Sequence, residues 1–196
     1  NRFLMKLDAA AQHNRSLLCV GLDPSPAQTP VRDIATFNRA IIDATKDLVC
    51  AFKPQMAFYE SAGLPGLRAL EETLAAIPED IPIILDAKRG DVASSAQAYA
   101  TAVFDVWNAD AVTVNPYMGG DSLAPFLAYE DRGVFVLTRT SNVGGADLVI
   151  HTAATTKNNP EIIESSARDI PIMKRAQAVA CIMNEKRSIA VAGSHG

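Results

Sequence analysis

The sequence predicts an α/β fold of parallel strands, most specifically a (β/α)₈ barrel of the TIM type that is incomplete, with five strand–helix units. Short apolar segments alternate five times with segments of helical periodicity. The apolar segments are continuous, which is typical of strands buried on both faces of a parallel sheet. A polar residue also ends strand after strand, and in a barrel these carboxyl ends converge on one mouth. An open doubly wound sheet is less favoured, because no Gly-x-Gly-x-x-Gly motif follows the first strand.

The individual elements follow from this alternation in chain order. Strands are expected at residues 17–23, 50–54, 81–88, 111–115 and 133–138. Helices are expected at residues 34–49, 64–77, 94–107 and 122–129, where apolar residues recur at helical spacing. Farther along, the pattern predicts a strand near 147–152, helices near 160–168 and 173–186, and a strand near 188–192. The polar residues at the five strand ends are Asp23, Lys53, Asp86 with Lys88, Asn115, and Arg139 with Ser141.

Composition places the chain among globular proteins and excludes several functional classes. Its 196 residues are 48 % apolar, and 18 basic against 22 acidic residues give a net charge of −4. A general electrostatic grip on nucleic acid needs a basic excess, so nucleic acid is not an expected partner. No apolar run approaches the roughly 20 residues that span a bilayer, and the first residues lack a secretory signal. We therefore expect a cytoplasmic protein that binds no membrane.

Cysteine spacing and charge distribution add two smaller expectations. Cys19, Cys50 and Cys181 follow neither a metal-binding nor a disulfide pattern. Cys19 and Cys50 lie in apolar strand-like runs, so both are expected to be buried, reduced thiols. Residues 1–150 carry 12 basic and 18 acidic side chains (net −6), whereas residues 151–196 carry 6 basic and 4 acidic ones (net +2). This shift indicates a change of character along the chain.

The densest chemical signal is the run from Asp86 to Asp91, Asp-Ala-Lys-Arg-Gly-Asp. On a strand, Asp86 and Lys88 point to the same side, because side chains repeat every two residues. Asp91 follows in the loop, and Ser95 stands four residues later on the first turn of a helix. An ammonium flanked by two carboxylates keeps its proton, which suits Lys88 to donate a proton and not to act as an amine nucleophile. Spacing alone fits a solvated Asp–Lys pair at a strand end equally well.

Five ordered segments, this motif among them, resemble the longer, bacterial-type branch of the orotidine 5′-phosphate decarboxylase family. They are residues 18–24, 52–55, 85–91, 114–123 and 138–142, and the resemblance covers about residues 1–147. It implies conversion of orotidine 5′-monophosphate (OMP) to uridine 5′-monophosphate (UMP) and carbon dioxide in pyrimidine synthesis, with no metal and no organic cofactor. Lys88 would deliver a proton to carbon six of the pyrimidine while Asp86 sits against the substrate carboxylate.

The same resemblance implies further roles around the substrate. Asp23 and Lys53 match ribose-contacting positions, and Ser141 matches a residue that contacts the pyrimidine. Asp91 and Ser95 match positions that reach into the partner subunit's site, so the implied unit is a homodimer; Ser95 stands where threonine is expected but retains the hydroxyl. Asn115 is a further candidate for substrate binding. Simpler interpretations stay open: Asp23 as a turn former, Lys53 as a surface lysine, Asn115 as the start of a loop, Ser141 as loop polarity, and His13 and His151 as structural or exposed residues.

The resemblance stops near Asp147. The family's phosphate-binding loops, with their glutamine and arginine, are not recognisable in residues 148–196. Segments of residues 147–196 instead resemble the end of the amino-terminal domain of UDP-N-acetylmuramate–alanine ligase. That family continues into the Lys-Thr of an ATP phosphate loop, which this sequence stops short of, so ligase activity is not expected. We therefore predict two domains, a decarboxylase-like partial barrel over residues 1–147 and a ligase-like α/β tail over residues 148–196.

Two other functions compete with the decarboxylase. One is a non-catalytic, truncated or chimeric fragment, which follows from the missing phosphate grip. The other is a related phosphosugar aldolase or decarboxylase barrel that shares Asp-x-Lys-x-x-Asp. The segments 115–117 and 140–142 favour the orotidine interpretation, and a dependence on magnesium would reverse that preference.

Overall fold

The computed structural model describes residues 1–25, 33–138, 149–151, 158, 160–167, 171–174 and 177. The chain divides into two compact units, Asn1–Leu137 and Thr138–Gly196. No helix among the described residues is long and apolar enough to cross a membrane.

Five parallel strands form the frame of the first unit. They are β1 (Cys19–Leu22), β2 (Ala51–Pro54), β3 (Ile84–Arg89), β4 (Ala111–Val114) and β5 (Gly133–Val136). β1 pairs with β2, β3 with β4 and β4 with β5, and two parallel bridges, Phe52–Ile83 and Gln55–Asp86, join β2 to β3. The spatial order therefore follows the chain order, whereas a doubly wound sheet reverses direction part-way. This order confirms the predicted class, an arc of a TIM-type barrel.

The helices of this unit precede β1 or lie between successive strands in the chain. They are α1 (Arg2–Asn14), α2 (Ile34–Thr45), α3 (Met56–Ser61), α4 (Gly63–Ala76), α5 (Ala93–Thr101) and α6 (Gly120–Leu127). The sequence did not predict α1 or α3. The helix predicted to run to residue 49 ends at Thr45, because the Asn14 side-chain amide binds the carbonyls of Lys46 and Val49. The helix predicted over residues 94–107 changes to a π-helical segment, Ala102–Val106, after α5.

α1 lies across the amino-terminal ends of the strands. At its start, the Asn1 side-chain amide donates to the carbonyls of Glu130 and Arg132, just before β5. Along its length, Lys6 Nζ lies 2.6 Å from the carboxylate of Asp110, the residue before β4. The opposite ends of the strands, where polar residues cluster in the sequence, lie away from this helix. Fully buried Leu85, Val112 and Val114 of the strands share one core cluster with Leu70, Phe104 and Phe126 of the surrounding layer.

Cys19 corrects the expectation of two buried thiols. Cys50 is buried, but Cys19 is exposed. β1 pairs only with β2 among the described residues. The prediction assumed a strand covered on every side, which the first strand of an arc is not.

The second unit contains a strand–helix–strand segment. β6 (Val149–His151) pairs in parallel with β7 (Ile172–Lys174), and α7 (Pro160–Ala167) lies between them in the chain. The strand predicted near 147–152 and the helix predicted near 160–168 are confirmed. The helix predicted from residue 173 is wrong at its start, because Ile172 and Met173 pair with Val149 and Ile150, and strand pairing outweighs local helical preference. The rest of that predicted helix, apart from residue 177, and the strand predicted near 188–192 lie outside the described residues.

Candidate active site

The centre of the candidate site is built by three neighbouring strands. Lys53 lies on β2, Asp86 and Lys88 on β3, and Thr113 on β4, while Gln55 directly follows β2. The parallel bridge between Gln55 and Asp86 sets the two strands level with each other. Consecutive parallel strands therefore bring side chains that are distant in sequence to one place.

Asp86 is the hub of this cluster and is only 6 % exposed. Lys88 Nζ lies 2.6 Å from Oδ1, and Lys53 Nζ lies 2.9 Å from Oδ2. Thr113 Oγ1 donates to Oδ1 at 2.7 Å, and Gln55 Nε2 donates to Oδ2 at 3.2 Å. Each carboxylate oxygen thus receives one ammonium and one neutral donor.

The electrostatics of the cluster favour an anionic ligand. Burial alone raises the pKa of Asp86, but hydrogen bonds from Lys88, Thr113 and Lys53 outweigh it and hold the pKa below its ordinary value. With Asp86 ionised, the two ammonium groups and one carboxylate leave a local charge of +1 (2 − 1). A surplus cation beside a buried carboxylate attracts a negatively charged group.

Lys88 occupies an unusual backbone conformation. Its φ is +48°, in the left-handed region that few non-glycine residues adopt, and the β3–β4 register shifts between Leu85 and Arg89. Its N–H donates to Thr113 Oγ1 at 3.0 Å. The ion pair joins Asp86 and Lys88 as expected, although β3 is not a regular strand over these residues.

Asp91 departs from the expected arrangement. Among the described residues, Asp91 forms no ion pair with Lys88; its carboxylate accepts the N–H of Val92 at 2.7 Å. The chain leaves β3 at Gly90, where a Cβ atom would stand 2.3 Å from the carbonyl oxygen of Asn115, and Asp91 turns toward the start of α5. The order within this chain is therefore one anion between two cations, not the predicted cation between two anions.

The other predicted residues lie around the cluster or outside it. Asp23 is exposed directly after β1, and Ser95 is half-buried in the first turn of α5. Asn115 follows β4, and its side-chain oxygen accepts the N–H of Tyr117 at 3.0 Å, which caps the short 3₁₀ helix Pro116–Met118. That contact is what a loop-starting residue makes. Ser141 lies outside the described residues.

Sequence reasoning missed two groups of polar residues. Gln55 and Thr113 contact Asp86 directly, and the signal for Thr113 was one polar residue inside an apolar strand. The other group is buried among β1, α2 and α3: Tyr59 Oη donates to the carbonyl of Leu22 at 3.0 Å and accepts from the Asn38 amide at 2.9 Å. Burial raises the pKa of the Tyr59 hydroxyl, which keeps its proton on that bond. No cluster of metal-ligating side chains occurs in the described part of the chain.

The model of the orotidine 5′-phosphate decarboxylase / HUMPS family matches residues 16–172. The chain belongs to this family. Two relatives are orotidine 5′-phosphate decarboxylases, from Herpetosiphon aurantiacus (57 % identical over 152 residues) and Ralstonia pickettii (49 % over 180 residues). These matches cover 74 % and 86 % of this chain but 57 % and 65 % of the relatives, so the chain spans less than two thirds of their length. The structure of Leishmania donovani OMP decarboxylase superposes with a TM-score of 0.67 at 43 % identity, over 74 % of this chain and 56 % of that one.

Proposed function

We propose that this chain carries the decarboxylase chemistry of its family, converting OMP to UMP and carbon dioxide. The row Lys53–Asp86–Lys88 is the observation that supports it best, because it sets an ammonium beside a buried carboxylate at the carboxyl ends of the strands. Relatives at 49 % and 57 % identity that bear the decarboxylase name add weight.

In this mechanism the bond between carbon six and the carboxylate breaks, and its electron pair stays on the ring as carbon dioxide leaves. Lys88 donates its proton to carbon six and is reprotonated by solvent. An ammonium already in place where negative charge develops stabilises that charge without reorganisation. Asp86 aims Lys88 and opposes the substrate carboxylate with its own charge, a ground-state effect that the transition state relieves.

The remaining substrate contacts are assigned by position. Lys53 and Asp23 bind the ribose, Ser141 contacts the pyrimidine, and Asn115 lines the substrate site. We assign Asp91 and Ser95 to the site of a second subunit in a cytoplasmic homodimer. In support, the Asp91 carboxylate accepts the N–H of Val92 at the start of α5, the helix that carries Ser95.

A two-part origin of the chain remains our proposal, with a decarboxylase-like partial barrel over residues 1–147 and a ligase-like tail over residues 148–196. The change of net charge near residue 150 supports it, whereas the family match running to residue 172 argues that decarboxylase-like sequence extends farther. Limited proteolysis with mass spectrometry and thermal melting tests it. Removal of residues 148–196 that leaves the melting of the remainder unchanged supports separate units, and one cooperative transition lost on cleavage contradicts them.

The function is tested by a spectrophotometric decarboxylation assay on OMP with the unmodified protein, Lys88→Ala and Lys46→Ala. Lys46 is the matched control, since it pairs with Asp43 on the surface of α2. We expect Lys88→Ala to lower kcat on the order of a thousandfold, because a positioned acid contributes about that much, and Lys46→Ala to leave kcat unchanged.

Equal rates for the unmodified protein and Lys88→Ala would remove Lys88 from the mechanism. A folded but inactive unmodified protein would favour the non-catalytic fragment, and activity that needs magnesium would favour the aldolase-type barrel.

A further inference from the structure

We propose that Thr113 is a positioning residue for the reaction, whose hydroxyl fixes both the backbone and the side-chain direction of Lys88. This inference rests on the proposed function of Lys88 as the proton donor. It concerns a residue on β4 that approaches Lys88 and Asp86 from the neighbouring strand.

The hydroxyl of Thr113 makes two hydrogen bonds whose directions are determined by chemistry. A backbone N–H only donates and an ionised carboxylate only accepts. Thr113 Oγ1 therefore accepts from the N–H of Lys88 at 3.0 Å and donates its own proton to Asp86 Oδ1 at 2.7 Å. Valine has the same shape as threonine but can make neither bond.

These two bonds close a ring with the catalytic ion pair. Lys88 Nζ binds the same oxygen, Asp86 Oδ1, at 2.6 Å, whereas Lys53 and Gln55 bind Oδ2. The ring runs from the Lys88 N–H through the Thr113 hydroxyl to Asp86 Oδ1 and returns along the Lys88 side chain. The backbone N–H and the terminal ammonium of the lysine are thus held by two groups that are bonded to each other, which restricts the torsions between them.

The backbone of Lys88 explains why such a tie is required. Its φ of +48° is strained for a residue with a side chain, and such strain persists only where the surroundings hold it. The β3–β4 register shifts at this point, so the N–H of Lys88 donates to a side chain of β4 in place of a β4 carbonyl. Thr113 thus replaces the lost ladder bond and stabilises the conformation that presents Lys88.

The test compares Thr113→Val with Thr113→Ser, which keeps the hydroxyl. We expect Thr113→Val to lower kcat on the order of tenfold to a hundredfold with little change in KM, since both bonds involve a charged or strained group of the proton donor. Thr113→Ser keeps the hydroxyl and loses only the methyl group of threonine, so its kcat should return most of the way to that of the unmodified protein. Thermal melting by circular dichroism checks that both variants are folded.

Amide hydrogen exchange of Lys88, measured by NMR, separates this inference from the proposed function because it needs no turnover. We expect exchange at Lys88 to be about tenfold faster in Thr113→Val than in the unmodified protein, with Thr113→Ser close to the latter. If the unmodified protein is inactive, the proposed function fails, and the exchange rates alone decide whether Thr113 holds Lys88. Folded Thr113→Val with an unchanged Lys88 exchange rate, or with unchanged kcat in an active protein, would overturn the proposal.

Discussion

Two aspartates of the partial barrel are equally buried, yet their surroundings give them different roles. Asp86 is 6 % exposed and Asp110 is 5 % exposed, and each has a lysine ammonium at 2.6 Å. The second donor to Asp110 is the backbone N–H of Ile83 at 2.9 Å. Asp86 instead receives a second ammonium, from Lys53, and two neutral side-chain donors.

The difference separates a structural ion pair from the candidate active site. The Lys6–Asp110 pair is neutral as a whole and connects α1 to the start of β4, so it stabilises the fold. The group around Asp86 carries a surplus positive charge, and every donor is a side chain near the carboxyl ends of the strands. A buried carboxylate with one cation and a backbone donor is satisfied, whereas one shared by two cations is ready to receive an anion.

The strongest way to test this contrast is to neutralise each carboxylate. Asp86→Asn removes the shared counter-ion that aims Lys88, so we expect kcat in the decarboxylation assay to fall on the order of a hundredfold or more. Asp110→Asn breaks the ion pair with Lys6 and should lower the free energy of unfolding by about 1–3 kcal/mol while kcat stays close to that of the unmodified protein. Urea unfolding followed by Trp107 fluorescence measures the second effect.

The contrast would be wrong if the two variants behaved alike. A large loss of kcat in folded Asp110→Asn would mean that the amino-terminal face also controls the site. Asp86→Asn with full activity would mean that Lys88 needs no counter-ion to donate its proton.

The carboxyl ends of the strands could be predicted from local sequence patterns, whereas the helix across their amino-terminal ends could not. The strands and the polar residues at their carboxyl ends could be read from the sequence, because a continuous apolar run followed by a charged residue is a local signal. The helix across the amino-terminal face could not, since among its 13 residues only Phe3 and Ala10 are buried. Its position depends on contacts between residues far apart in sequence, such as the bond from Asn1 to Glu130.

Within the site, the residue types were predictable but the backbone was not. The motif indicated Asp86 and Lys88, yet nothing in it announces a left-handed lysine, a conformation that usually selects glycine. The position of Asp91 depends on the close approach of Gly90 to Asn115, a contact between two loops. For the same reason the spacing of Lys88 and Asp91 suggested an ion pair that does not form among the described residues of this chain.

A medium-sized effect on kcat/KM is expected from a change in the loop after β3 that leaves Asp86 and Lys88 in place. In Gly90→Ala the new Cβ atom would stand 2.3 Å from the Asn115 carbonyl oxygen, so the backbone must shift and carry Asp91 with it. We expect kcat/KM to fall on the order of tenfold, since small misplacements of reacting groups cost that much or more. Gly120→Ala is the matched control, because nothing lies within 4 Å of a Cβ atom there. Equal kcat/KM for the two variants would show that the loops adjust without moving the site.

The smallest expected effect is on stability in acid and concerns Asp86 alone. Burial opposes its ionisation, but the bonds from Lys88, Thr113 and Lys53 prevail and lower its pKa in the folded chain. As the pH falls, the unfolded chain therefore binds this proton first, near the ordinary value of about 3.9. The stability that Asp86 contributes is fully present above that pH and is lost as the pH falls through the lower pKa of Asp86 in the folded chain.

The free energy of unfolding of the unmodified protein minus that of Asp86→Asn should thus be constant above about pH 5 and decline below about pH 4, by no more than about 1.4 kcal/mol per pH unit. Urea unfolding at a series of pH values measures it, and a difference that grows on acidification would mean that burial outweighs the three donors.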